Sequence, residues 1–119
     1  PRFTPLYSSA ASDVYKRQPT YVQTTDHVSS NFDEFKAHLK KLREVVSSLK
    51  ISHFKTMIID ENQNAVFLRY DVEVEKKNGN QGIIEVYAEF TFNDEGKVMT
   101  CNELTLPYHE ALKGIGSIK

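Results

Sequence analysis

"AVFLRYDVEV", residues 65–74, and "IIEVYAEFTF", residues 83–92, decide the fold, because both alternate apolar and polar side chains with a period of two. Successive side chains of an extended chain point to opposite faces, so Val66, Leu68, Tyr70, Val72 and Val74 share one face of the first stretch. Ile84, Val86, Ala88, Phe90 and Phe92 share one face of the second. Strands over about Ala65–Lys76 and Gln81–Phe92, joined through Asn78-Gly79, therefore form a hairpin with both apolar sets on one face. A two-residue turn would oppose even with odd positions and put one set in water. A three-residue loop, Asn78 to Asn80, pairs Val74 with Ile84, Val72 with Val86 and Tyr70 with Ala88, and needs Gly79 or Asn80 in the left-handed region. On the other face this register sets Arg69 opposite Glu89 and Glu73 opposite Glu85, beside Phe67, Tyr87 and Thr91. That face reads either as a solvated surface or as a dimer contact.

Two further strands flank the hairpin, at about His53–Asp60 and Lys97–Leu106, and "TYVQTTDH", residues 20–27, reads as the end of a strand entering a polar loop. From Asn31 to Leu49 the period changes. Phe32, Phe35, Leu39, Leu42, Val45, Val46 and Leu49 recur at three- and four-residue steps, which predicts a helix with one apolar stripe. Asn31 can cap its start while Glu34 reaches back in a capping box. One helix lying on an antiparallel sheet makes the class α+β.

The first residues do not share this order. "DVYKRQ", residues 13–18, has no period and is what the codons GAT GTG TAT AAG AGA CAG encode, a string that resembles the end of a transposon adapter. Residues 1–18 are accordingly read as a non-native or disordered leader, expected to pack against nothing, and 19–119 as one domain. Setting aside Arg2, Asp13, Lys16 and Arg17 moves the net charge from −1 to −3, with 12 basic and 15 acidic residues left. Lys and Arg form no long cluster, so nothing favours nucleic acid, and no apolar run approaches the ~20 residues of a membrane span. The single cysteine, Cys101, cannot close an internal disulfide, which fits a cytoplasmic protein held by packing alone.

The ordered set "YVQTTDH", "NFDEFKAHLKKL", "AVFLRYDVEV", "IIEVYAEFTFNDEGKV" and "CNELT" resembles the nuclear-transport-factor-2-like superfamily and, within it, the SnoaL-like proteins, over about residues 19–106. The resemblance implies a curved antiparallel sheet of about four to five strands, wrapped by helix into a cone around a small-molecule pocket. It also implies one or two earlier helices that this chain lacks, and hence a chain truncated at its N-terminus. The functions implied are binding of a small apolar molecule, with an unassigned lyase-, isomerase- or hydratase-type activity, and homodimerisation. The alternative is a non-enzymatic dimerisation or interaction module. No cofactor is implied. Ketosteroid isomerase belongs to the same superfamily, but its carboxylate base matches Thr24 here and its neutral carboxylic acid matches Ala88. That acid–base set is not carried by this chain.

Glu103 is the candidate catalytic residue, since a carboxylate among apolar neighbours is drawn toward general acid or base work. Its direction depends on residues 93–97. A four-residue loop, Asn93 to Gly96, pairs Phe90 with Met99, Ala88 with Cys101 and Val86 with Glu103, all inward. A type I turn with Gly96 as a bulge pairs Phe92 with Val98 and turns Thr100, Asn102 and Leu104 inward instead. Turn chemistry favours the second and the resemblance the first; Glu103 is taken as inward. The implied pocket would be lined by Thr24, His27, His38, Tyr70, Ala88, Phe90, Cys101 and Glu103. Against functional roles, His38 borders the apolar stripe, His27 lies in a loop, and Cys101 suits a small core residue. His53 and His109 have no assignable partner, and no metal-ligand spacing occurs. Finally, one helix ~10 Å wide cannot cover a four-stranded sheet, so part of the apolar concave face is expected to stay open.

Overall fold

The computed structural model describes residues 17–108. In chain order these form β1 (Arg17–Thr25), β2 (Val28–Asn31), α1 (Phe32–Val45), β3 (Val46–Asp60), β4 (Ala65–Lys76), β5 (Gln81–Phe92) and β6 (Val98–Pro107). The strands make one curved, unclosed sheet in the order β2-β1-β6-β5-β4-β3. The class is the expected α+β, with six strands rather than four to five. The sheet is mixed, because β1 runs parallel to β6 while every other neighbour is antiparallel. β1 begins at Arg17, so the leader boundary after residue 18 falls two residues inside a strand. Residues 1–16, on which the expectation of an unpacked leader mostly falls, and His109 lie outside the described residues.

The short strand β2 is one that the sequence reading gave to a loop. Asp26 and His27 have φ of 50° and 70°, and two consecutive left-handed residues close the tight hairpin that pairs Thr25 with Val28. Neither residue is glycine, which hid the turn; both Asp and His are among the side chains that tolerate this region.

Helix α1 starts as expected. The Glu34 amide donates to Asn31 Oδ1 at 2.9 Å and the Asn31 amide donates to Glu34 Oε1 at 2.8 Å, closing the capping box. It ends at Val45, not Leu49, and Val46 opens β3 with φ −112° and ψ 130°. Val45, Val46, Ser47 and Ser48 are poor helix formers, and their apolar spacing had fitted either period. Three bulges in β3, at 46/48, 51/53 and 54/56, break the alternation that would have marked it as a strand.

Helix α1 joins the two outermost strands, β2 and β3, without a connecting residue at either end. Fourteen helical residues span ~21 Å. Five gaps between six flat strands would span ~24 Å. The helix therefore bridges the sheet from edge to edge across its inner face, and Phe35 and Leu39 are buried there. The expectation of an open concave face is corrected by the burial of the central strands. The inward residues from Val66 to Val74 on β4 and from Ile84 to Phe90 on β5 are all buried.

The central hairpin keeps the expected faces and shifts its register by two. Val72 pairs with Ile84, Tyr70 with Val86, Leu68 with Ala88 and Val74 with Gly82. The loop holds three residues, as parity demanded, but they are Lys77 to Gly79: the Lys76 amide donates to the Asn80 carbonyl at 2.8 Å and Gly79 takes φ 93°. A shift by two preserves faces, so apolar patterning alone does not resolve it. On the outer face Arg69 consequently meets Tyr87, and Asp71 meets Glu85, rather than the pairs first assigned. Lys55 from β3 offsets that like-charge pair, with Nζ 2.6 Å from Glu85 Oε2 and 2.9 Å from Asp71 Oδ1.

The β5–β6 turn combines the two readings offered for it. Gly96 has φ 81°, Asn93 Oδ1 accepts from the amides of Glu95 and Lys97 at 2.9 Å each, and Phe92 pairs with Val98, as turn chemistry favoured. A bulge then leaves Met99 without a partner, so that Thr91 pairs with Thr100, Phe90 with Cys101 and Ala88 with Glu103. The extra residue reverses the faces. Val98, Cys101 and Glu103 all point inward.

Candidate functional site

Glu103 sits on β6, flanked across the sheet by Thr25 of β1 and Ala88 of β5. Its side chain is buried, with a relative exposure of 8%. A carboxyl group loses a large hydration free energy in such a place and must find donors. They come from β1, whose alternation aims Tyr21, Gln23 and Thr25 at the concave face. Gln23 Nε2 donates to Glu103 Oε1 at 2.9 Å, and Thr25 Oγ1 donates to the same oxygen at 3.0 Å. Gln23 Nε2 also donates to Thr25 Oγ1 at 2.9 Å. Tyr21 Oη donates to Gln23 Oε1, which completes a chain of polar groups running along one strand to one carboxyl.

The thiol of Cys101 approaches Glu103 Oε2 at 4.0 Å. Burial pushes that thiol well above its ordinary range, and the adjacent Glu103 charge adds to the shift. The thiolate, the nucleophilic form, is thus suppressed. Burial likewise raises the Tyr21 phenol, with the charge and hydrogen bond of Arg17 acting in the opposite direction. Arg17 lies inside the fold with its guanidinium carbon 4.9 Å from the centre of the Tyr21 ring and 4.7 Å from that of Phe35.

The turn after β1 fixes this strand against β6. The Asp26 amide donates to the Glu103 carbonyl at 3.0 Å, while the Asp26 carboxylate accepts from the Thr105 amide at 2.7 Å and the Thr105 hydroxyl at 2.5 Å. The parallel pairing of Thr25 with Glu103 is thereby continued by a side chain beyond the end of the ladder. Glu103 is positioned by backbone on both sides of its own residue.

The candidate residues separate cleanly by face. Tyr70, Ala88, Phe90, Cys101 and Glu103 stand together on the inner face and are buried. Thr24 does not join them: it points outward, where its hydroxyl meets Ser29 Oγ at 2.8 Å, because strand parity gives the inner face to Gln23 and Thr25. His27 is exposed at the tip of the β1–β2 turn. His38 is half-buried and stacks on Phe35 with ring centres 6.5 Å apart. Sequence reasoning missed Tyr21, Gln23 and Thr25, although the period of two in "YVQTT", residues 21–25, carried the signal.

Two grooves border other regions. One, of about 430 Å³, lies by the β4–β5 hairpin against Glu73, Glu75 and Tyr108. Another, of about 200 Å³, lies between the end of α1 and β3 against Leu39, Leu42 and Leu49. Neither is lined by Glu103. Among the described residues, no three His, Cys, Asp or Glu side chains converge in a way that could hold a metal ion. No helix among them is long and apolar enough to cross a membrane.

No family model matches the chain, and no curated protein matches it. Solved structures do. AusH from Aspergillus nidulans superposes with a TM-score of 0.76 at 16% identity, covering 87% of this chain and 78% of its own. BvnE pinacolase from Penicillium brevicompactum gives a TM-score of 0.71 at 18% identity, over 82% of this chain and 74% of its own. An NTF2-like protein of unknown function from Exiguobacterium sp. 255-15 gives 0.70 at 13% identity, over 89% of this chain and 94% of its own. At such identities the likeness speaks for architecture alone. The curved sheet and helix of the described residues share the fold of these structures, the NTF2-like protein among them.

Proposed function

We propose that this chain is a small-molecule-binding domain in which Glu103 exchanges a proton with a small apolar ligand bound on the concave face. The reaction class it fits is that of a lyase, isomerase or hydratase, carried out by a cytoplasmic protein. One observation carries the reading: a buried carboxyl group on the inner wall of the sheet that accepts hydrogen bonds from Gln23 and Thr25. One solved structure of the same fold is a pinacolase, which supports an enzymatic use of this architecture.

The test is a thermal-shift and ligand-observed NMR screen of the full chain against small neutral ketones, alcohols and aromatic hydroxyl compounds. Hits should weaken or fail to turn over with Glu103→Gln while the fold is retained. A screen without a hit, or hits indifferent to that substitution, would remove the reading.

A second reading rests on the outer face. Val22, Leu104, Leu106 and Ile58 are each at least 40% exposed on the side away from the core. Such a surface fits a second copy of the chain, giving a homodimer with no catalysis required. Light scattering separates the two. A dimer that Leu104→Lys dissociates, together with an empty ligand screen, favours the interaction module.

A further inference from the structure

Asn78 and Gly79 stand exposed in the turn between β4 and β5, and Asn78 is the one asparagine of the chain that glycine follows. Gly79 has no side chain to screen its amide nitrogen, and even a methyl group on its Cα would meet nothing within 4 Å. That nitrogen lies open to solvent. Asn78 Oδ1 accepts from the Asn80 amide at 3.0 Å, which closes an Asx-turn over the Gly79 peptide. The ring so closed contains the Gly79 nitrogen, so the side-chain carbonyl carbon of Asn78 is kept beside it. An amide carbon with a donor on its oxygen, next to a main-chain nitrogen, is the set of atoms that cyclises to a succinimide. Asn93 makes a comparable turn, with Oδ1 accepting from the Glu95 amide at 2.9 Å, but there the following residue is Asp94, whose side chain crowds the corresponding nitrogen.

We infer that Asn78 is a self-modifying residue, converted by water alone to aspartate and isoaspartate, and that the isoaspartyl product loosens the tie between this turn and the end of α1. The Gly79 nitrogen gives its proton to water or hydroxide and attacks Asn78 Cγ. The new N–C bond pushes the carbonyl electron pair onto Oδ1, where the Asn80 amide donates to it. The pair then returns, Nδ2 takes a proton from water and leaves as ammonia, and the succinimide ring is complete. Water opens that ring at one of its two carbonyls. Opening at Cγ gives aspartate. Opening at the main-chain carbonyl gives isoaspartate, whose backbone runs through Cβ and Cγ and is one atom longer. The sum is asparagine and water giving the acid and ammonia.

The fold slows this reaction without preventing it. The Gly79 amide donates to the Lys76 carbonyl at 2.9 Å, and the nitrogen must leave that acceptor before it loses its proton, because an amide anion and a carbonyl oxygen repel. One such bond slows the step about five- to tenfold relative to the open chain. What the product does is set by the loop's surroundings. The Lys76 amide closes the loop on the Asn80 carbonyl at 2.8 Å, and the Lys77 amide donates at 3.0 Å to the carbonyl of Val45, the last residue of α1. A loop of three residues, Lys77 to Gly79, cannot take up an extra backbone atom while both bonds keep their lengths. Aspartate preserves the backbone length and the acceptor for Asn80, and leaves both bonds in place.

The experiment incubates the full chain, folded and in urea, in mildly alkaline buffer at physiological temperature. Peptide mapping by mass spectrometry follows each asparagine, with isoaspartate separated from aspartate by chromatography. The folded protein should convert at Asn78 about five- to tenfold more slowly than the unfolded chain, while Asn93 stays unchanged. Asn78→Gln should abolish the product at this position, because glutamine would have to close a larger ring. Hydrogen exchange read by NMR then follows the Lys77 amide. It should exchange about tenfold faster in the isoaspartyl fraction and at the wild-type rate in Asn78→Asp. Three results overturn the proposal: conversion in the fold as fast as in urea, no conversion of the folded chain over on the order of a hundred unfolded half-lives, or a Lys77 amide as well protected in the isoaspartyl fraction as in the wild type.

Discussion

Replacing Glu103 should separate its polar partners from its chemistry, and the two replacements that do so differ in a way that can be worked out beforehand. Glu103→Ala deletes the acceptor of two buried donors, Gln23 Nε2 and Thr25 Oγ1, at positions 5% and 7% exposed. Each donor left without a partner costs about 1–3 kcal/mol. Part of the Gln23 cost is offset, because its amide keeps the bond to Thr25. Adding the void left by the side chain brings the total to roughly 3–5 kcal/mol, a large share of the 5–15 kcal/mol typical of a domain. Glu103→Gln keeps a carbonyl oxygen for both donors and exchanges charged for neutral hydrogen bonds, at a cost of roughly 1–2 kcal/mol. Urea unfolding followed by circular dichroism measures both. Melting should fall by about 4–8 °C for each kcal/mol in a domain of this size. If the alanine variant proved as stable as the glutamine variant to within ~0.5 kcal/mol, the donors could not be buried and dependent on Glu103, and the site as described would be wrong.

Three further outcomes follow from other parts of the molecule. The Glu85 carboxyl is held below its ordinary range, first by its hydrogen bond from Lys55, so the folded protein binds that proton less readily than the unfolded chain does. The associated stability is present above the usual glutamate range and lost as pH falls through the folded value. Glu85→Gln should flatten the acid limb of a stability–pH curve by lowering stability above the glutamate range, while changing little at pH below the folded titration. His27→Gly should raise stability by about 0.5–1 kcal/mol, because a left-handed φ of 70° is cheaper for glycine, as chemical unfolding would record. Cys101, 2% exposed, should resist a thiol reagent such as Ellman's in the native protein and react at once in denaturant.

The parts of this fold legible in the sequence were those where local chemistry and patterning agree. The alternation of β4 and β5 assigned their faces, and Asn31 with Glu34 marked the start of α1 to the residue. What patterning left unresolved was register, since sliding Val74 from Ile84 to Gly82 moves no side chain across the sheet. The inward turn of Glu103 needed a bulge at Met99 that neither local turn chemistry nor periodicity encodes. The end of α1 was obscured because Val45, Val46 and Leu49 suit a helical stripe and an irregular edge strand equally well. Gln23 and Thr25 escaped notice for another reason. Their role depends on a parallel partner 78 to 80 residues away, and no signal in a single strand announces which neighbour it will meet.

The junctions at both ends of α1 have a consequence for how this domain could change over time or by design. With no spacer between β2, α1 and β3, one inserted helical residue would turn everything beyond it by ~100° and flip which side of β3 faces inward. Such an insertion would be felt at the sheet's far edge, remote from where it was made. Removing a whole turn would keep the faces but draw the two outermost strands ~5.4 Å closer, tightening the arc on which Glu103 sits. Helix length is thus the gauge of the concave wall. Variation in what the domain encloses should come in whole turns of α1, while single-residue length changes should be confined to the loops at 61–64, 77–80 and 93–97.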